Sequence, residues 1–133
     1  MAWTADELAR IGDATELELA TDGPNGVSAF TTMWVARVGD ELYVRSAGGP
    51  GRPWFRRATT IGSGRIRAGG VEAAVHFESD EGADEAPHAT IDAEYHRKYD
   101  RYGPGPVGHV TGTSSHAVTI RLVKVDPSGA NHE

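Results

Sequence analysis

The sequence of 133 residues predicts one mainly β (α+β) domain, about six antiparallel strands in a small barrel with flanking helices. Three observations carry that prediction. Two stretches alternate apolar with polar residues around a two-residue glycine turn and read as hairpins, Thr32 to Ser46 about Gly39-Asp40 and Gly64 to Glu78 about Gly69-Gly70. Weaker alternation at Glu16 to Ala20 and His116 to Val125 adds a strand near each end. Three helical segments punctuate the strands instead of forming a bundle of their own.

The first helix opens after Thr4, where Thr4 and Glu7 have capping-box spacing and Trp3 and Leu8 flank it as a hydrophobic staple, and it is expected to end at Gly12. The turn cluster Thr21-Asp22-Gly23-Pro24-Asn25-Gly26 leads into the first hairpin. There the turn sets the register: Val38 faces Glu41, Ala36 faces Tyr43 and Trp34 faces Arg45. Met33, Val35, Leu42 and Val44 then share a core face. Trp34, Ala36, Tyr43 and Arg45 share the other, which mixes aromatics with a cation and suits a ligand surface or a subunit interface. A short helix follows from Pro53 to about Thr60. In the second hairpin Arg67 pairs with Glu72, and Ile66, Ala73, Val75 and Phe77 turn inward. The acidic run Ser79 to Pro87 reads as a solvated loop or, less simply, as a carboxylate metal site. Thr90 to Tyr102 is a helix stopped by Gly103-Pro104, with Ile91, Tyr95, Tyr99 and Tyr102 along one stripe. Gly103 to Ser115 is a flexible crossing, Val118, Ile120 and Leu122 face inward from the last strand, and residues 126–133 form a frayed tail.

Composition excludes several functions. Without cysteine the chain has no disulfide, thiolate metal site or cysteine nucleophile. The acidic amphipathic start lacks the basic and apolar regions of a secretion signal, and no apolar run approaches a membrane span, so a cytoplasmic protein is expected. A net charge of −6 argues against nucleic acid as a partner. No HExxH or HxH spacing links His76, His88, His96, His109, His116 and His132, so no metal is expected, and no GxSxG elbow supports a hydrolase triad.

The charge is nevertheless segregated, with six arginines and no acid between residues 45 and 67. Here Ser46-Ala47-Gly48-Gly49-Pro50-Gly51-Arg52-Pro53-Trp54 is a glycine-rich loop running into a helix start, whose free N–H groups suit an anion, with Arg45, Arg52, Arg56 and Arg57 around it. The alternative reading is an ordinary strand-to-helix turn with solvated arginines, since the loop matches neither the phosphate loop ending in Lys-Ser/Thr nor GxGxxG. Two readings also stand for the tyrosine stripe, which either docks the helix on the barrel or points hydroxyls into a pocket.

The run MWVARVGDELYVRSAGGPGRPWFRRATTIGSGRIRAGGVEAAV, then IDAEYHRKYDRYG and a final strand, resembles the uncharacterised bacterial family DUF2255 over about residues 3 to 125. It is similar, more distantly, to the deazaflavin (F420)-dependent nitroreductases and to the FMN-binding split barrels of the pyridoxamine-phosphate oxidases. The resemblance implies a six-stranded split β-barrel that forms a homodimer and binds a small-molecule substrate, with FMN or F420 as cofactor. It implies that Ser46, Gly48, Gly49, Arg52, Pro53 and Trp54 border the cofactor phosphate and that Tyr95, Tyr99 and Tyr102 face a substrate. One departure is plain: TDGPNGVSAFTT carries no base where those relatives have basic residues for an anionic tail.

The expectation is therefore a flavin- or deazaflavin-dependent oxidoreductase. Arg45, Arg52 and Arg56 meet the phosphate, Trp34 and Trp54 flank the ring, Tyr43 and Tyr102 contact substrate, and Tyr95, Tyr99 or His116 does acid–base work. A cofactor-free cyclase or isomerase using the Trp34/Tyr43/Arg45 face with Tyr99, His116 or Asp92, and a non-catalytic binder, are the alternatives.

Overall fold

A computed structural model describes residues 3–79 and 87–125; the acidic run from Asp80 to Ala86 and the tail from Asp126 lie outside the described residues. In chain order the elements are α1 (Ala5–Asp13), β1 (Leu17–Thr21), β2 (Thr31–Met33), β3 (Ala36–Val38), β4 (Glu41–Arg45), α2 (Pro53–Ile61), β5 (Ser63–Ala68), β6 (Val71–Ser79), α3 (His88–Tyr99), α4 (Pro104–Gly108) and β7 (Thr119–Lys124). Single 3-10 segments cover Asp100–Tyr102 and Thr113–Val118.

All strands join one antiparallel sheet in the order β2-β1-β5-β6-β7-β4-β3. The sheet has seven strands and not six, because the predicted strand from Thr32 to Val38 is two. Its first part pairs with β1 and its last part with β4, at opposite edges of the sheet. Only Trp34 and Val35 separate them, a reach of about 11 Å from Met33 to Ala36. The sheet must therefore curl until its edges meet, as a split barrel does.

That seam leaves the backbone of Val35 outside either ladder, and buried backbone groups need partners. α3 supplies them. Val35 N–H donates to the Tyr99 hydroxyl at 3.3 Å, which donates to Thr15 C=O at 2.8 Å. Lys98 Nζ donates to Val35 C=O at 2.8 Å and Ala14 C=O at 2.9 Å.

Most of the local expectations stand. Ala36 pairs with Tyr43, Val38 with Glu41 and Arg67 with Glu72. Both halves of the Thr4/Glu7 capping box form, and Trp3 and Leu8 are buried in the barrel core. That core takes Leu42, Val44, Ile66, Val75, Phe77, Ile120 and Leu122 from the sheet, with Ile11 and Phe55 from the helices. At Gly64 a Cβ would meet the Ala20 carbonyl oxygen at 1.9 Å, so glycine lets β1 close on β5.

Other expectations change. The predicted Trp34–Arg45 pair does not form, since the chain has left the ladder at Val35. The face holding Ala36, Tyr43 and Arg45 is interior, because α3 and the crossing cover it with Ile91, Tyr95, Tyr99, Val107 and Val110. The crossing also contains α4, and the last strand begins at Thr119, which leaves His116 in the 3-10 segment. Among the described residues no helix is long and apolar enough to cross a membrane.

Candidate functional site

The seam, the loop after β4, the start of α2 and the crossing enclose a cavity of about 560 Å³, within the range of small-molecule sites. Thr31 to Trp34 form one wall, Gly48, Arg52, Pro53 and Trp54 another, and Pro106, His109 and Val110 a third. Trp34 lies parallel to Tyr99, ring centroids 4.0 Å apart and planes within 3°, so α3 backs the indole that borders the cavity. Trp54, which also borders the cavity, is held edge-on against Phe55 at 5.7 Å. Rings locked by such packing offer a planar guest flat contact at little entropic cost.

The loop is shaped for close approach. Ser46 Oγ donates to Gly49 C=O at 2.6 Å, and Arg52 folds over Gly48, where a Cβ would meet Arg52 Nε at 2.0 Å. Pro53 occupies the first position of α2, Arg52 caps it without a side-chain hydrogen bond, and no acid lies in its first turn. The N–H groups of that turn, including those of Trp54 and Phe55, thus find no side-chain cap, and the positive end of the helix faces the rim of the cavity.

The arginines divide sharply. Arg45, whose side chain has no exposed surface, pairs with Asp92 and donates to Val110 C=O at 2.8 Å, Thr119 Oγ1 at 2.9 Å and His88 Nδ1 at 3.2 Å. Four of its five N–H groups are committed, and because guanidinium only donates, His88 Nδ1 must be unprotonated. Asp92 in turn accepts from Gly112 N–H at 3.1 Å, so the pair ties α3, β4 and β7 to the crossing. The side chains of Arg52, Arg56 and Arg57 have no hydrogen-bond or ion-pair partner among the described residues, whereas those of every other arginine and both lysines do. Arg57 Nε is buried without an acceptor, and Arg57 borders both the main cavity and a shallower one of about 340 Å³ beside Arg56 and Ile61.

Of the residues singled out from sequence, the structure gathers Trp34, Arg45, Gly48, Arg52 and Trp54 around the cavity. Ser46 and Gly49 brace the loop behind it, and Arg56 lies on the outer side of α2. Tyr43, Tyr95 and Tyr99 belong to the second core instead of the cavity wall. Burial pushes the Tyr95 phenol well above its ordinary pKa and that of Tyr99 up to about 12, so both stay protonated. Tyr102 is 46% exposed, its ring 5.7 Å from Trp34. His116 stacks on His88 at 4.0 Å, behind Arg45. The placement of the tyrosines and His116 follows from α3 lying over the sheet: the stripe predicted on α3 is the stripe that packs.

Sequence reasoning missed His109, and it placed Arg57 around the anion-attracting loop without giving it a contact to the cofactor. The signal for Arg57 was its place in the acid-free arginine window. His109 had none, because its position depends on α4 folding within a segment read as flexible. Among the described residues no group of three or more histidine or acidic side chains is poised to hold a metal ion.

Residues 7–122 match DUF2255, described as an uncharacterized protein conserved in bacteria, and the chain belongs to that family. No match is found among curated protein sequences. Among solved structures, the chain is similar to a putative pyridoxamine 5'-phosphate oxidase from Listeria innocua, with 16% identity, TM-score 0.61 and 90% of each chain covered. It is similar to a conserved hypothetical protein from Mycobacterium tuberculosis, with 17% identity, TM-score 0.63, and 95% of this chain and 83% of that one covered. An FAD- and haem-binding protein from Mycobacterium smegmatis matches with 17% identity, TM-score 0.52, and 92% of this chain and 67% of that one covered. At these identities the likeness is one of fold, the curled split-barrel sheet.

Proposed function

We propose that this DUF2255 protein is a small-molecule oxidoreductase that holds a flavin or deazaflavin in the cavity between Trp34 and Trp54. One observation carries the reading: two guanidinium groups, of Arg52 and Arg57, stand without partners among the described residues at an aromatic-walled cavity, beside a helix start lacking both a side-chain cap and a first-turn acid. That combination suits a guest with a planar apolar body and an anionic tail. The fit has three parts. The unsatisfied Arg57 Nε calls for an acceptor, Gly48 lets the Arg52 side chain lie close to the loop, and the two tryptophans supply the flat walls.

In this reading Arg52, Arg57 and the first-turn amides of α2 hold the phosphate, while Trp34 and Trp54 orient the ring. Arg45 acts one step back, holding Val110 and thus the third wall in place. The bound cofactor would supply hydride transfer. His109 brings an imidazole, a group able to give or take a proton, to the cavity lining, so it replaces Tyr95, Tyr99 and His116 as the candidate proton donor. The fold neighbours add support of a general kind, one being named an oxidase and another binding FAD and haem. A homodimer belongs to the same proposal, and a monomer in light scattering at micromolar concentration would remove that part.

The test is a visible absorption spectrum of freshly purified protein, followed by calorimetric titration with FMN, F420 and riboflavin. FMN or F420 binding, with riboflavin much weaker, is the expected result. Absence of binding by all three overturns the proposal and favours the cofactor-free reading, in which His109 serves as the acid–base group of the same aromatic-walled cavity.

A further inference from the structure

On the far side of the Trp34–Tyr99 stack, α3 carries one of the two lysines of the chain. Lys98 borders a separate cavity of about 190 Å³, together with Asp13, Thr15, Arg97 and Arg101. Its Nζ donates to Ala14 C=O at 2.9 Å and Val35 C=O at 2.8 Å. A neutral amine has two N–H bonds, and these two carbonyls take both, which turns the nitrogen lone pair away from the seam.

We propose that Lys98 is an acylation site, an oriented amine that takes acyl groups from small electrophilic donors such as acyl phosphates. The amine nitrogen attacks the acyl carbon, the N–C bond forms, the C–O bond to phosphate breaks, and the displaced amine proton passes to solvent. The charges around Lys98 are Asp13 from α1, Glu94 and Arg97 from α3, and Arg101 just beyond it; the Tyr99 phenol beneath stays protonated. Burial outweighs the two carboxylates and, with Arg97, lowers the amine to about 8 from an ordinary 10.5. Lys124 is the internal control. Its Nζ is engaged by both Glu7 carboxylate oxygens at 2.8 and 2.9 Å instead of by backbone carbonyls.

The consequence reaches the main cavity. An amide at Lys98 keeps one N–H, so one of the two seam carbonyls loses its donor. The affected carbonyls lie beside Trp34 and before β1, which gives acylation a route to the wall of the proposed cofactor site.

The experiment treats the folded protein with limiting acetyl phosphate at pH 7.5 and reads each lysine by peptide mass spectrometry. An amine titrating near 8 is about one-quarter free at that pH and an ordinary one about 0.1% free, which leaves room for weaker intrinsic nucleophilicity. Lys98 is expected to react at least about tenfold faster than Lys124, and the ratio to collapse toward one in urea. Equal rates in the folded protein, or a preference that persists in urea, would overturn the proposal.

Discussion

Arg45 and Arg57 border the same cavity and differ in almost everything else. Arg45 is buried, spends four of its N–H groups on Asp92, His88, Val110 and Thr119, and binds three parts of the fold to one another. Arg57 leaves Nε buried without an acceptor, and the side chains of Arg52 and Arg56 are equally unpaired, among the described residues. A charge enclosed by protein must be compensated internally, while a charge at a rim is left for something arriving from outside. Proximity to a cavity therefore does not identify a ligand-binding arginine; an uncommitted donor does.

The sharpest way to break the comparison is Arg45→Ala. It leaves the Asp92 carboxylate without its partner and removes the bond to Val110, and is expected to lower stability by about 3 kcal/mol in urea denaturation. A loss below about 0.5 kcal/mol would make Arg45 as dispensable as a surface group.

Next in size is a pair of tyrosine variants. Tyr99→Phe deletes the hydroxyl that links Val35 to Thr15 and should cost about 2 kcal/mol. Tyr95→Phe removes a buried hydroxyl that has no hydrogen-bond partner among the described residues and should be neutral or stabilising. Equal losses for the two would contradict the seam-closing role given to Tyr99.

For the rim, Arg57→Ala should leave the urea midpoint nearly unchanged and weaken FMN binding about tenfold, or about 1.4 kcal/mol. If affinity holds while stability falls, Arg57 is a structural residue and the contrast with Arg45 dissolves.

The smallest effect is a pH dependence. Lys98 titrates near 8 when folded and near its ordinary 10.5 when unfolded, so the unfolded chain binds more protons between those values. Stability must therefore rise with pH across that window, by about 1 kcal/mol once solvent contact is discounted. Lys98→Met should flatten the rise, and a wild-type curve that instead falls through the window would show the opposite sign of coupling.

Much of the fold was legible because its determinants are local. Gly39-Asp40 sets the pairing of Ala36 with Tyr43, Thr4 and Glu7 cap α1, and Pro53 opens α2. The candidate site was half legible. Gly48, Arg52 and Trp54 lie on one loop and the helix start after it, Trp34 lies one hairpin earlier, and they meet at one cavity. His109 and the split of the Thr32 to Val38 strand were not legible, since alternation reports which face a residue takes but not which neighbour its strand will choose.

By itself, then, the sequence determined the hairpins, their register, the helix boundaries to within a few residues, and a cationic aromatic loop, because each depends on residues a few positions apart. Tertiary structure alone decided which of those cations is neutralised and which face of the first hairpin is covered. Those outcomes turn on Asp92 meeting Arg45 across 47 positions and on α3 closing the seam at Val35 across 64. No local pattern encodes the end point of such long-range contacts, because it is chosen by how the curled sheet packs as a whole.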